Sequence, residues 1–263
     1  MSYVKTADAI TFSYNGTEVV TVSASHPRFD EVVACVKTLN WNRALELSQP
    51  AKMIESNGKG KITVRDGIVW YGDVPLHNSL TDRIVRMFEE GSNVDPMINF
   101  LENLMQNPSQ DAIEELYEFL AYGQLPITQD GHFLAYKHVR EDYRDVHSGR
   151  FDNSPGKEVE MNRADVCDDK NVTCAPGLHF CSYEYLAHYP GNRIVVLKIN
   201  PKDVVSIPVD YNNTKGRCCY YKVLRDLSEM GDMRRAVYVG AVNDEAKKQH
   251  GTDEMEFLEH LED

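Results

Sequence analysis

The chain has 263 residues, with 41 acidic and 28 basic side chains and a formal net charge of −13. That balance disfavours non-specific contact with nucleic acid or an anionic membrane surface, and no run reaches the roughly 18 apolar residues a membrane span needs. The charge is uneven: residues 1–125 carry −7, residues 126–243 are neutral and residues 244–263 carry −6, so only the middle keeps local clusters of Arg and Lys suited to an anion.

In chain order, Ile10 to Val22 reads as a hairpin about the Asn15-Gly16 turn. Phe29, Val32, Val33 and Val36 then fall at helical spacing, Trp41 to Leu47 gives a second helical piece, and Lys61 to Tyr71 returns to strand around Asp66-Gly67. Residues 79–123 predict three short helices. The first has Ser79 or Thr81 as cap, Ile84, Met87 and Phe88 as its stripe, and Gly91 as its end. Asp95-Pro96 opens the second, lined by Met97, Phe100, Leu101, Leu104 and Met105 and stopped by Pro108. Ser109 opens the third, with Ile113, Leu116, Tyr117 and Leu120 inward and Gly123 at its end. Past Leu125 the pattern becomes short strands: Phe133 to Val139, Arg193 to Ile199, Val204 to Val209, Cys218 to Leu224 and Ala236 to Val242, with a helical segment from Ser182 to Tyr189. The fold class is therefore α+β. A small N-terminal module (1–77) is followed by a helical connector (78–124), a β-rich domain with polar loops (125–245) and an acidic tail (246–263), expected to be frayed or loosely docked.

The densest polar segment is Gly131 to Gly191. It holds AYKHVREDYRDVHSG, the turn FDNSPG, VEMNRADVCDD and TCAPGLHFCSYEYL, and RCCYYKVL follows a β run later in the chain. A scaffold that displays such loops usually serves recognition or chemistry. From Leu125 to Tyr238 these motifs resemble the rIIB proteins of tailed bacteriophages. The resemblance implies an early, non-structural phage protein that acts with an rIIA-like partner, supports lysis inhibition and opposes membrane-linked host exclusion. It carries no catalytic residues with it.

The residues themselves offer several chemistries. Cys167, Cys174, His179, Cys181, His188, Cys218 and Cys219 are thiol and imidazole donors, but no C-x₂-C pair is present and vicinal cysteines on a strand point to opposite faces, so no metal site is expected. With no signal-like N-terminus and an adjacent cysteine pair, the six cysteines read as reduced thiols of a cytosolic protein. A Cys174 or Cys181 nucleophile beside His179 or His188 lacks any orienting group in the sequence, and His179, between Leu178 and Phe180, reads as a core histidine. GLHFCS, then YLAHY and a strand, is similar to a segment of ADP-ribosyltransferases that packs around nicotinamide. That likeness places His179 and Tyr189 at a nucleotide, although Tyr136-Lys137 stands where that family has His-Gly or Arg. DNSPG, from Asp152 to Gly156, is foremost a turn.

The expected function is a non-enzymatic phage accessory factor in the host cytoplasm, peripheral at the inner membrane only through a partner. Its partners would be an rIIA-like protein and a host defence or membrane-associated protein, with no nucleic acid and no cofactor. The alternative is an NAD-like nucleotide-binding or ADP-ribosyltransferase-like protein. The candidate ligand-binding residues are Tyr136, Lys137, His179, Tyr189, Asp152, Asn153 and Ser154.

Overall fold

A computed structural model describes residues 2–14, 16, 18–26, 28–49, 61–65, 68–76, 79–89, 94–209 and 214–228. The expected strand Ala236 to Val242, the 246–263 tail, Asp66-Gly67 and Gly91 lie outside the described residues. The fold is mixed α+β, and the chain divides into two compact units, residues 1–98 and 99–263.

In the first unit, β1 (Tyr3–Lys5), β2 (Ala9–Tyr14) and β3 (Glu18–Ser23) form an antiparallel sheet in that order. Alternation sends Ile10, Phe12, Val20 and Val22 into the core, while Thr11 and Thr21 face the other way with their hydroxyls 2.9 Å apart. Helices α1 (Phe29–Lys37) and α2 (Trp41–Ser48) bring Val32, Val33, Val36, Ala44 and Leu47 to the same cluster. Asn40 caps α2 by accepting from the Arg43 N–H. Strand β1 escapes the sequence because its three residues are all exposed and leave no alternation to read. A second sheet takes β4 (Ile62–Arg65), β5 (Ile68–Tyr71) and β6 (Val74–Leu76) in sequence order. Helix α3 (Ser79–Glu89) buries Leu80, Ile84 and Met87. Thr81 is inside this helix, where its hydroxyl donates to the Leu76 carbonyl.

Helix α4 (Asp95–Leu104) contains the division between units. In the second unit, α5 (Gln110–Tyr122) starts at Ser109, whose Oγ accepts from the Ala112 N–H. It buries Ala112, Leu116, Tyr117, Phe119 and Leu120, whereas Ile113, expected inward, is only half-buried. Seven strands follow: β7 (Phe133–Val139), β8 (Glu158–Glu160), β9 (Leu178–Cys181), β10 (Arg193–Ile199), β11 (Val204–Ser206), β12 (Lys215–Cys218) and β13 (Tyr220–Asp226). Their order is β11-β12-β9-β7-β10-β13-β8, with every pairing antiparallel.

The expected strands at β7 and β10 have the observed bounds. The expected Val204 to Val209 strand stops at Ser206, ahead of Pro208, which has no N–H for a ladder. The expected Cys218 to Leu224 strand breaks in two. Cys219 leaves the ladder, its N–H donating to the Asp203 carbonyl and its own carbonyl accepting from Met161. The Ser182 to Tyr189 helix is a 3₁₀ turn, Glu184–His188.

The sheet meets α5 through an aromatic trio. Phe180 lies 5.6 Å from the Phe119 ring, edge-on, and 5.5 Å from the Phe133 ring. Gly216 makes room for it: a Cβ there would stand 2.2 Å from Phe180 Cζ. Asn107, between α4 and α5, fixes the far edge of the sheet. Its Nδ2 donates to the Pro201 and Val204 carbonyls at 2.8 and 2.7 Å, and its Oδ1 accepts from Ser109 N and Arg163 Nη2. Asn107→Leu removes all four bonds and is expected to lower stability by about 2–3 kcal/mol; a urea midpoint within error of wild type would show that water replaces them.

Candidate functional site

Strand pairing decides which polar side chains meet. Lys215 is opposite Cys181, Cys181 opposite Tyr136, Tyr136 opposite Val196, and Val196 opposite Arg225, so these residues form one row across five strands. The next row on that face carries Arg217 opposite His179 and His138 opposite Ile194. One face of the sheet thus gathers Lys215, Arg217, His179, His138 and Arg225 around Tyr136.

The basic groups at the β9–β12 end hold a loop, residues 167–176, through its main chain. Arg217 Nη2 donates to the Asp169 carbonyl at 2.8 Å, Lys215 Nζ to the Thr173 carbonyl at 3.2 Å and His179 Nε2 to the Ala175 carbonyl at 3.0 Å. His179 therefore carries its proton on Nε2. Burial, and then the charge of Lys137, pull its pKa down to about 4, with Arg217 and Lys215 adding to the effect. Arg217 is completely buried, and its Nε and Nη1 have no hydrogen-bond partner. Arg225 Nε and Nη2 are likewise buried without one.

Tyrosines cover the same region. Tyr136 packs edge-on against Tyr183 at 5.3 Å, Tyr185 stacks on Tyr189 at 6.4 Å, and Lys215 Nζ is 5.6 Å from the Tyr185 ring. His138 Nδ1 donates to the Tyr189 carbonyl, and the His147 ring is 5.4 Å from that of Tyr189. Tyr136, His179 and Tyr189 are thus brought to one face.

Lys137 points to the other face. Its Nζ donates to the His179 carbonyl at 2.9 Å and sits 5.8 Å from the Tyr221 ring, and burial pushes its pKa down. Tyr221, fully buried, donates its hydroxyl to Asn153 Oδ1. Asn153 Nδ2 in turn donates to the Tyr143 and Phe151 carbonyls. All the side-chain groups of Asn153 are occupied within the protein. Asp152 accepts from the N–H and hydroxyl of Ser154, which closes the turn that DNSPG predicts. Tyr221→Phe leaves the Asn153 carbonyl oxygen unpaired in a dry interior and is expected to lower stability by about 1–3 kcal/mol. An unchanged urea midpoint would show that this bond contributes nothing.

Asp145 organises the neighbouring loop by accepting from Ser148 N and Oγ, Arg150 N and Phe151 N. Burial works against its charge, but these bonds prevail and hold its pKa at about 2. A separate cleft of about 770 Å³ is lined by His132, Arg163, Asn200, Lys202, Cys219 and Tyr220 among others. Arg163 is engaged there by the Lys202 and Val204 carbonyls and by Asn107. None of the residues expected to bind a ligand lines this cleft. Its polar residues are scattered over four short segments, and no motif in the sequence marks them as neighbours.

Among the described residues, no group of three or more His, Cys, Asp or Glu is placed to hold a metal. All six cysteines are free thiols. Burial pushes Cys181 up to about 12 and Cys218 further, which leaves neither a ready nucleophile. No helix among the described residues is long and apolar enough to cross a membrane.

The family model described as Bacteriophage T4 protein rIIB matches residues 3–243. The chain belongs to the bacteriophage rIIB family. It is 40% identical over 226 residues to Protein rIIB of Enterobacteria phage T4, an alignment that covers 85% of this chain and 70% of that protein. No solved structure matches it. The rIIB family model covers both compact units, whereas the motifs that carry the resemblance in the sequence lie only in the second. The sequence also missed the convergence of Lys215, Arg217 and Arg225 on the face of His179. Its only signal was alternation, in K-G-R along β12, and that requires the pairing partner to be known.

Proposed function

We propose that this rIIB-family protein is a phage accessory factor that counteracts host exclusion and modulates lysis through protein partners. The observation that carries the reading is the family match, which runs through residues 3–243. An rIIA-like protein is the first partner, and a host defence or membrane-associated protein is the second. The protein acts in the host cytoplasm and reaches the inner membrane only through such a partner, in keeping with its acidic ends. The chemistry of the β9–β12 region supports a binding role rather than catalysis. His179 is neutral and committed to a loop carbonyl, and the buried thiols stay protonated.

The test is a phage deleted for this gene, plated on permissive and excluding hosts, together with affinity purification of the tagged chain from infected cells. Loss of plating on the excluding host alone, with an rIIA-like protein recovered, is the expected result. Equal plating on both hosts would remove the proposal.

A further inference from the structure

We propose that Arg217, with His179 and Lys215 beside it, binds the phosphate group of a small nucleotide-like molecule beneath the 167–176 loop. The proposal goes beyond the accessory role and stands on different observations. Arg217 is wholly buried. A guanidinium does not shed its proton at any ordinary pH, so the fold encloses a fixed positive charge. Only Nη2 is used, on the neutral carbonyl of Asp169, while Nε and Nη1 have no partner. Among the described residues, no carboxylate pairs with Arg217 or His179. Buried charge of this kind is ordinarily compensated by a counter-charge.

The surroundings define which anion would fit. His179 is directly opposite Arg217, and Lys215 lies two residues along β12 on the same face. A tetrahedral oxyanion offers acceptors in several directions and so can take the free guanidinium nitrogens and an ammonium together. Tyr185 and Tyr189, nearly parallel at 19° and half-buried, give planar faces beside Lys215 that suit a base ring. The net charge of −13 opposes a long polyanion and leaves a small one. Since Arg217 has no exposed surface, binding includes displacement of the loop from its three carbonyl anchors.

The full-length protein would be titrated with inorganic phosphate, pyrophosphate and ADP by calorimetry, with the imidazole of His179 followed in parallel by nitrogen NMR. ADP is expected to bind more tightly than pyrophosphate and to raise the pH at which His179 titrates, because the anion offsets the neighbouring cations. Arg217→Met is expected to weaken ADP binding by about tenfold or more, and Tyr189→Ala to weaken ADP but not pyrophosphate. Lys215→Gln provides the same reading as Arg217→Met should that variant fail to fold. Absence of binding by all three anions, or ADP binding unchanged in Arg217→Met and Lys215→Gln, overturns the site. Equal affinity for pyrophosphate and ADP overturns the nucleotide assignment.

Discussion

Gly131→Ala is expected to destabilise the second unit by about 2–5 kcal/mol, the sum of a left-handed backbone penalty of 1–2 and an overpacking cost of 1–3. Gly131 has φ +74, and a Cβ there would stand 2.2 Å from the Asn99 carbonyl carbon and 2.4 Å from Phe100 N. Backbone cannot yield as a side-chain tip can. The turn is also tied to α4 by side-chain amides: Asn99 Nδ2 donates to the Gln129 carbonyl, and Asn103 Nδ2 to those of Asp130 and Gly131. Within the turn, Thr128 and His132 pair, and Gly131 N–H donates back to Thr128. Relief by moving the turn would therefore break several bonds at once. Urea unfolding monitored in the second unit checks this; a loss below about 1 kcal/mol would show that the turn separates from α4 at little cost, against the usual cost of such clashes.

The second large effect is acid sensitivity in two windows. His179 has its folded pKa lowered to about 4 from 6.5. Below pH 6.5 the unfolded chain takes up a proton that the folded chain refuses, so stability falls from about pH 6.5 to about 4 and then levels off, by about 3 kcal/mol in all. Asp145 behaves oppositely in charge but not in outcome. Its folded pKa is lowered to about 2, so its contribution, about 1 kcal/mol once solvent screening of the part-exposed carboxylate is allowed for, is complete above pH 4 and is lost as the pH falls through 2. Asp226, also held down by its hydrogen bonds against the effect of burial, adds to this lower window. Urea midpoints at several pH values separate the two. His179→Gln should flatten the loss between pH 6.5 and 4 and leave the lower window intact, and Asp145→Asn should reduce only the lower one. An equal loss from pH 7 to 4 in wild type and His179→Gln would show that the imidazole becomes protonated in the folded protein.

What the sequence reveals depends on how local the cause is. Strands β7 and β10 are legible as short apolar runs, and helix α5 by its N-cap and terminal glycine, because each of these causes sits within its own segment. Strands β1 and β8 are not, since three residues with at most one buried side chain leave no period to read. The break at Cys219 is fixed by Asp203 and Met161, each more than fifteen residues away. The site shows the same divide. DNSPG closes on itself and reads correctly as a turn, whereas the engagement of Asn153 by Tyr221 spans 68 residues. Tyr136, Lys137, His179 and Tyr189 lie inside the loop-rich segment and stand out there, but Arg217 and Arg225 reach that neighbourhood only through sheet order.

The anchoring of the 167–176 loop has an evolutionary consequence. Arg217, Lys215 and His179 grip carbonyl oxygens, which every amino acid possesses, so this grip does not depend on which side chains the loop carries; Lys170, paired with Glu115 and Asp111 of α5, adds a side-chain tie of the loop's own. The exposed positions Asp168, Asn171, Val172 and Cys174 can accordingly be rewritten from phage to phage while the loop keeps its path. A lineage under pressure from changing hosts would thereby be able to vary what this loop displays without first re-inventing the means of holding it in place.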